Sequence, residues 1–134
     1  MKFSLPLCIS VLVVLLSSNS VAQTEEKSKL LVDQKWHLEI YEIAGQKFPA
    51  SDAEKDDYTI FYADHQAKSV SRGLTILFKW KYDAAMDKLL LYSDSTEETS
   101  ENKILNLSEH ELVLETTTPE EMTITIHMSN MTGK

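Results

Sequence analysis

Cysteine is almost missing from this chain: Cys8 is the one cysteine in 134 residues. It falls inside an apolar N-terminal run, so a chain that has lost that run carries no thiol. Disulfides, cysteine-held metals and thiol catalysis then drop out together. Positive charge is scarce too, with 13 Lys and Arg against 21 Asp and Glu and a net charge of −8. That is the wrong sign for displacing counterions from phosphates, and it argues against a nucleic-acid partner. Long apolar runs are also lacking. The longest, residues 3–16, covers 14 positions, where about 20 are needed to span a bilayer. There is no internal repeat, no low-complexity tract, and no window of 11 or more residues with a convincing helical period.

What the N-terminus does contain reads as an address. Lys2 precedes the apolar run, and Ser20 and Ala22 supply the small residues expected at −3 and −1 of a signal-peptidase site. Residues 1–22 are expected to be a signal peptide cleaved after Ala22, leaving a secreted or periplasmic protein that inserts in no membrane. Lys2 and Cys8 leave with it, which moves the net charge to −9. Residues 23–29 are polar and read as a flexible extension; residues 30–134 read as one folded domain. A domain of this size buries roughly 65% of its unfolded surface and here must stand on its core alone.

Period-2 alternation dominates that domain. Leu74, Ile76, Phe78, Trp80 and Tyr82 share one face of a segment whose other face carries Thr75, Lys79 and Lys81. Met122, Ile124, Ile126 and Met128 alternate with threonines and His127 in the same way. Weaker runs at 36–40, 58–62, 67–71, 88–92, 103–107 and 111–116 bring the strand count to eight. The connections are mostly short and polar, as hairpin turns should be, and parallel crossovers of a dozen or more residues are missing. Residues 44–57 form the longest connection, placed where a loop often lies over an open barrel end, and residues 93–101 read as an acidic loop. Eight short antiparallel strands with one dry face are best satisfied by closure. The expected fold is all-β, an eight-stranded antiparallel up-and-down barrel, with a two-sheet sandwich as the competing solution.

Chemistry-bearing residues are scattered. His37, His65, His110 and His127 lack zinc spacing, and alternation sets His127 on the face opposite Met122 and Met128, which spoils a copper site with Met131. Ser108 and His110 share a turn but lack a third group to orient a base. Asp52, Glu54, Asp56 and Asp57 lack the glycine of a calcium loop and read as a solvated face. No enzyme, metal or cofactor is expected from this pattern.

Several short motifs resemble the lipocalin-like domains of secreted Bacteroidetes-type proteins. They are Lys35-Trp36-His37-Leu38, Trp80-Lys81-Tyr82-Asp83, the run Leu89-Leu90-Leu91-Tyr92, and the hairpin pattern over 104–114. The likeness covers about residues 30–129 and implies an up-and-down barrel with a binding role. Gln34 stands where lipocalins place a glycine before the first-strand Trp, and Arg72 is the only arginine. One barrel end is therefore closed differently here, or is not closed.

Two functions follow. In the first, a small apolar or amphipathic ligand occupies the interior, lined by Trp36, Tyr58, Tyr62, Phe78, Trp80, Tyr82, Met122, Ile124, Ile126 and Met128. These residues are also bulky enough to fill an eight-stranded barrel completely. In that case the loops carry the function as a protein-binding or inhibitor module, with Lys47, Phe48, Asp94, Glu97, Glu98 and Glu101 as the contact residues.

Overall fold

Alternating residues become strands where neighbours take up their backbone groups, and in the computed structural model they do so nine times. The structure describes residues 26–131; the expected signal peptide, residues 1–22, lies outside them. The strands are β1 (Trp36–Ile43), β2 (Gln46–Pro49), β3 (Tyr58–Phe61), β4 (Gln66–Ser71), β5 (Leu74–Asp83), β6 (Lys88–Ser93), β7 (Glu98–Leu107), β8 (Glu111–Thr117) and β9 (Thr123–Ser129). All pairings between them are antiparallel. Because β9 returns to β1, every strand except β2 belongs to a closed eight-stranded barrel.

The ninth strand shows how the ring is spliced. β2 pairs with the C-terminal half of β1, from Ile40↔Pro49 to Ile43↔Gln46. β3 pairs with its start, Trp36↔Thr59 and His37↔Tyr58. Both lie along the same edge of β1, so they share one position in the ring, interrupted by residues 50–57 and their 3₁₀ turn Asp52–Glu54. The sequence expectation left 44–57 as a connection because β2 is short, exposed and ends in Pro49, a residue tolerated on an edge. Two-residue turns at Ala44-Gly45 and Arg72-Gly73 have positive φ at both positions, the turn geometry that suits a twisted hairpin and needs glycine at the second place.

Two bulges adjust which residues turn inward. Register slips between Leu38 and Ile40 in β1 and between Ile104 and Asn106 in β7. Ile40 consequently pairs with His127 on the outer face, correcting the simple Trp36-Leu38-Ile40 alternation, and Leu105 is left exposed. The expected 93–101 loop is likewise a four-residue turn, since Glu98, Thr99 and Ser100 already pair with β6.

The core occupies one end of the barrel. Leu31, Trp36, Phe61, Ala67, Trp80, Leu89, Ile104, Leu112 and Leu114 are buried together. All but Leu31 come from the first halves of β1, β4, β6 and β8 and the second halves of β3, β5 and β7, which alternating strand direction brings to the same level. Phe61 meets Trp80 and Phe78 edge-on, at 5.8 and 6.4 Å between centroids, a favoured aromatic arrangement. Each indole finds a backbone acceptor, Trp36 Nε1 donating to Leu31 O at 3.0 Å and Trp80 Nε1 to Tyr62 O at 2.9 Å.

The flexible extension expected over 23–29 is, from residue 26 onward, part of a helical turn running to residue 31. Leu31 plugs the core, and Lys27 bonds Asp87 at 2.5 Å while lying over the Tyr82 ring. Burial alone would lift the Asp87 carboxyl, but the Lys27 ammonium and the Tyr82 hydroxyl hold it below its ordinary value. Gln34, where a lipocalin places glycine, donates to Leu30 O at 2.8 Å and accepts from Asn130 beyond β9. This end is closed by the chain's own N-terminal turn.

The solid end and the other end should respond differently to truncation. Leu89→Ala, at a site with 0% exposure, is expected to cost about 3 kcal/mol. Ile76→Ala, inward but 51% exposed, should cost about 1 kcal/mol or less. Chemical denaturation of the two variants measures both values.

Candidate functional site

Residues paired across an antiparallel ladder share a face, so the buried core fixes which positions turn inward all the way along each strand. Above the core those positions change character. β4 offers Ser69 and Ser71, β6 offers Ser93, β7 offers Ser100 and Glu98, and β8 offers Thr116. Small side chains leave the interior unfilled. A cavity of about 890 Å³ lies there, with Ile76, Phe78 and Leu91 as its apolar surface and Ser93, Ser100 and Thr116 among its hydroxyls. Strand positions of opposite parity also border the space, including the Lys88–Glu101 pair, Lys103 and Glu115.

The cavity opens toward the end where the 44–45, 72–73, 94–97 and 118–122 turns gather. Leu74 is 72% exposed and Ile76 51%, although both belong to the inward row of β5. Phe48 and Met122 are also exposed large apolar residues on elements reaching this end. The barrel is therefore solid at one end and a cup at the other.

Residues 50–57 are fastened at the mouth. Tyr41, inward on β1 beside Ile126, donates its hydroxyl to Glu54 Oε2 at 2.7 Å. Asp57 accepts from Ser71 Oγ at 3.1 Å and from the Arg72 amide at 2.9 Å, which ties the segment to the β4–β5 turn. These carboxylates were expected to form a solvated face; two of them hold this segment in place instead. Burial, then the bond to Glu54, pushes Tyr41 up to about 12. Glu54 is lowered, first by the Tyr41 hydroxyl and then by the Ser51 amide and hydroxyl.

The expected ligand-lining set divides. Phe78 alone of the ten borders the cavity. Trp36 and Trp80 lie beneath it in the core, with Met128 packed against that core. Tyr82 donates to Asp87 at 2.8 Å at the closed end. Ile124 and Ile126 are inward and half-buried on the opposite wall. Tyr58 faces outward, between Lys35 at 4.7 Å and Lys68 at 5.9 Å from its ring. Tyr62 follows β3 with its carbonyl under Trp80, and Met122 borders a shallow groove with Glu42 and Thr125. Ile76, Leu91 and the inward hydroxyls are the lining that sequence reasoning missed.

Of the loop set, Lys47 and Phe48 are on β2, Asp94 and Glu97 are in the β6–β7 turn, and Glu98 and Glu101 are on β7; all six are exposed. Asp94 reaches Lys79 at 3.6 Å. His127 meets Glu42 at 2.7 Å on the outer face. Ser108 Oγ accepts the Glu111 amide at 3.2 Å, a turn cap. Among the described residues no three His, Cys, Asp or Glu gather as a metal site. No protein family, curated protein or solved structure matches the chain.

The Tyr41–Glu54 contact gives a titration test. Tyr41 gains its proton affinity on folding, so its contribution to stability is complete below pH 10 and disappears as pH rises through about 12. In Glu54→Gln the hydroxyl keeps an acceptor but loses the adjacent charge. Tyr41 should then titrate at lower pH, still above the ordinary tyrosine value because burial remains. NMR titration of the Tyr41 ring signals follows it directly.

Proposed function

We propose that this protein is a non-enzymatic binding protein, secreted or periplasmic, that takes up a small amphipathic molecule in the hollow end of its barrel. The observation that carries the reading is the cup: a space of about 890 Å³ bordered by apolar side chains, by hydroxyls, and by two lysines and three glutamates. Ligand cavities fall in a range of about 300–1,000 Å³, with a mostly apolar lining and a few polar fixtures. Ile76, Phe78 and Leu91 supply the first and Ser93, Ser100 and Thr116 the second. An apolar group leaving water for this surface gains roughly 25 cal/mol per Å² buried. The lipocalin-like resemblance of the sequence points to the same role.

Ser100→Phe tests it by filling the cup from a small inward position. The wild-type protein should bind twelve-carbon amphiphiles, seen by calorimetry and by a rise in melting temperature, with about 2.7 kcal/mol of added stability at a hundredfold excess over Kd. Ser100→Phe should stay folded and lose that response. Wild-type protein unmoved by any such amphiphile would overturn the reading. Tryptophan emission is the weaker readout, since both indoles lie beneath the cup.

A second reading, in which the surface binds another protein, is favoured by β2. This strand pairs only with β1 and presents exposed Lys47 and Phe48 beside an edge without a strand partner.

A further inference from the structure

Charge is unevenly placed between the two ends of the barrel. At the mouth, residues 94–98 carry three carboxylates, residues 118–122 two, and residues 50–57 four, against Lys55 and Arg72 in these segments and turns, Lys47 beside them on β2, and Lys79, which reaches Asp94 at 3.6 Å. At the closed end the 62–65, 84–87 and 108–110 turns carry one carboxylate each, and residues 26–35 carry two against three lysines. The excess negative charge of the chain is thus concentrated where the cavity opens. A mouth with a net excess of one sign over a low-dielectric interior raises the local concentration of oppositely charged solutes and speeds their entry.

One of these carboxylates belongs to the cavity itself. Glu98 pairs with Ser93, takes the inward position of its row, and borders the cavity beside Thr96 and Ser100. Its side chain has no hydrogen-bond or ion-pair partner among the described residues. The other carboxylates bordering the space differ: Glu101 faces Lys88 at 3.7 Å, and Glu115 sits across the ladder from Lys103. The cavity therefore offers apolar side chains inside and one uncompensated negative charge at the rim.

We infer that the cup selects amphiphiles with a cationic headgroup, an alkylammonium being the simplest, with Glu98 as counter-ion and the chain lying against Ile76, Phe78 and Leu91. This rests on the function proposed above and names its ligand class. An anionic amphiphile of the same length places like charge against Glu98 and the rim. A neutral one gains the apolar contact and nothing from the charge.

Three probes of equal chain length separate the terms: dodecylammonium, dodecanol and dodecanoate, each titrated calorimetrically below its aggregation limit. Dodecylammonium should bind at least tenfold more tightly than dodecanoate, and its advantage over dodecanol should shrink between 20 and 300 mM salt, conditions that span the onset of strong screening. Glu98→Gln should weaken dodecylammonium about three- to fivefold, the size of a partly exposed ion pair, and leave dodecanol unchanged. Melting temperature checks that the variant is folded. Equal affinity for all three probes, or a Glu98→Gln loss that dodecanol shares, overturns the charge selection while the binding function stands. Silence from all three probes overturns the binding function as well.

Discussion

Pairing of β9 with β1 is the constraint on which the rest of this structure depends. Six residue pairs, from His37↔Ser129 to Ile43↔Ile124, turn an open sheet into a ring, which removes the free edges of β1 and β9 and leaves only that of the short β2. The outer side of the same seam carries the His127–Glu42 contact at 2.7 Å, whose hydrogen bond holds the Glu42 carboxyl below its usual range. Closure also fixes inside and outside for every strand at once, because each ladder transmits its parity to the next. One bulge in β1 and another in β7 are the places where the parity is reset, and both leave an aliphatic residue facing out.

Once the ring is closed, volume decides what its interior can be. Eight strands enclose a space that side chains can just fill, and at one level they do: two indoles, a phenyl ring and six smaller apolar side chains are packed there. At the next level β4, β6, β7 and β8 turn Ser69, Ser71, Ser93, Ser100 and Thr116 inward, and the same ring radius leaves an opening. The step from Trp80 and Leu89 to Ser93 and Ser100 is therefore the physical origin of the cavity. Chain entry is linked to this division. The turn at residues 26–31 seals the filled end, so the other end is where solvent reaches the interior.

Much of this was legible in the residues. Alternation in 74–82 and 122–128 marked strands, short polar connections implied antiparallel neighbours, and together they required closure. Tyr58 was placed inside because Tyr58, Ile60 and Tyr62 alternate with Thr59 and Phe61, whereas the core takes Phe61. Register places Tyr58 outside, where lysine ammoniums cover its ring faces and meet part of its need for contact. β2 escaped notice because an exposed edge strand needs no apolar face. Residues 98–102 escaped for a related reason: Glu-Thr-Ser-Glu-Asn reads as loop only if every barrel interior is dry.

That last misreading carries the general point. Alternation reports a strand through the contrast between its faces, and contrast vanishes where the inner face meets water too. A polar stretch that continues the register of a good strand, as 98–102 continues into Ile104, is then a sign of a wet lumen and not of a loop. The small inward residues of β4, β6 and β7 agree in this, each becoming hydroxylic toward the same end of the barrel. Their agreement across neighbouring strands is something that no single segment reveals, and it is why the interior's shape emerges only after the ring is assembled. The acidic turns complete the same pattern, since a mouth that opens to water tolerates charge that a sealed end would have to pair, as Lys27 pairs Asp87.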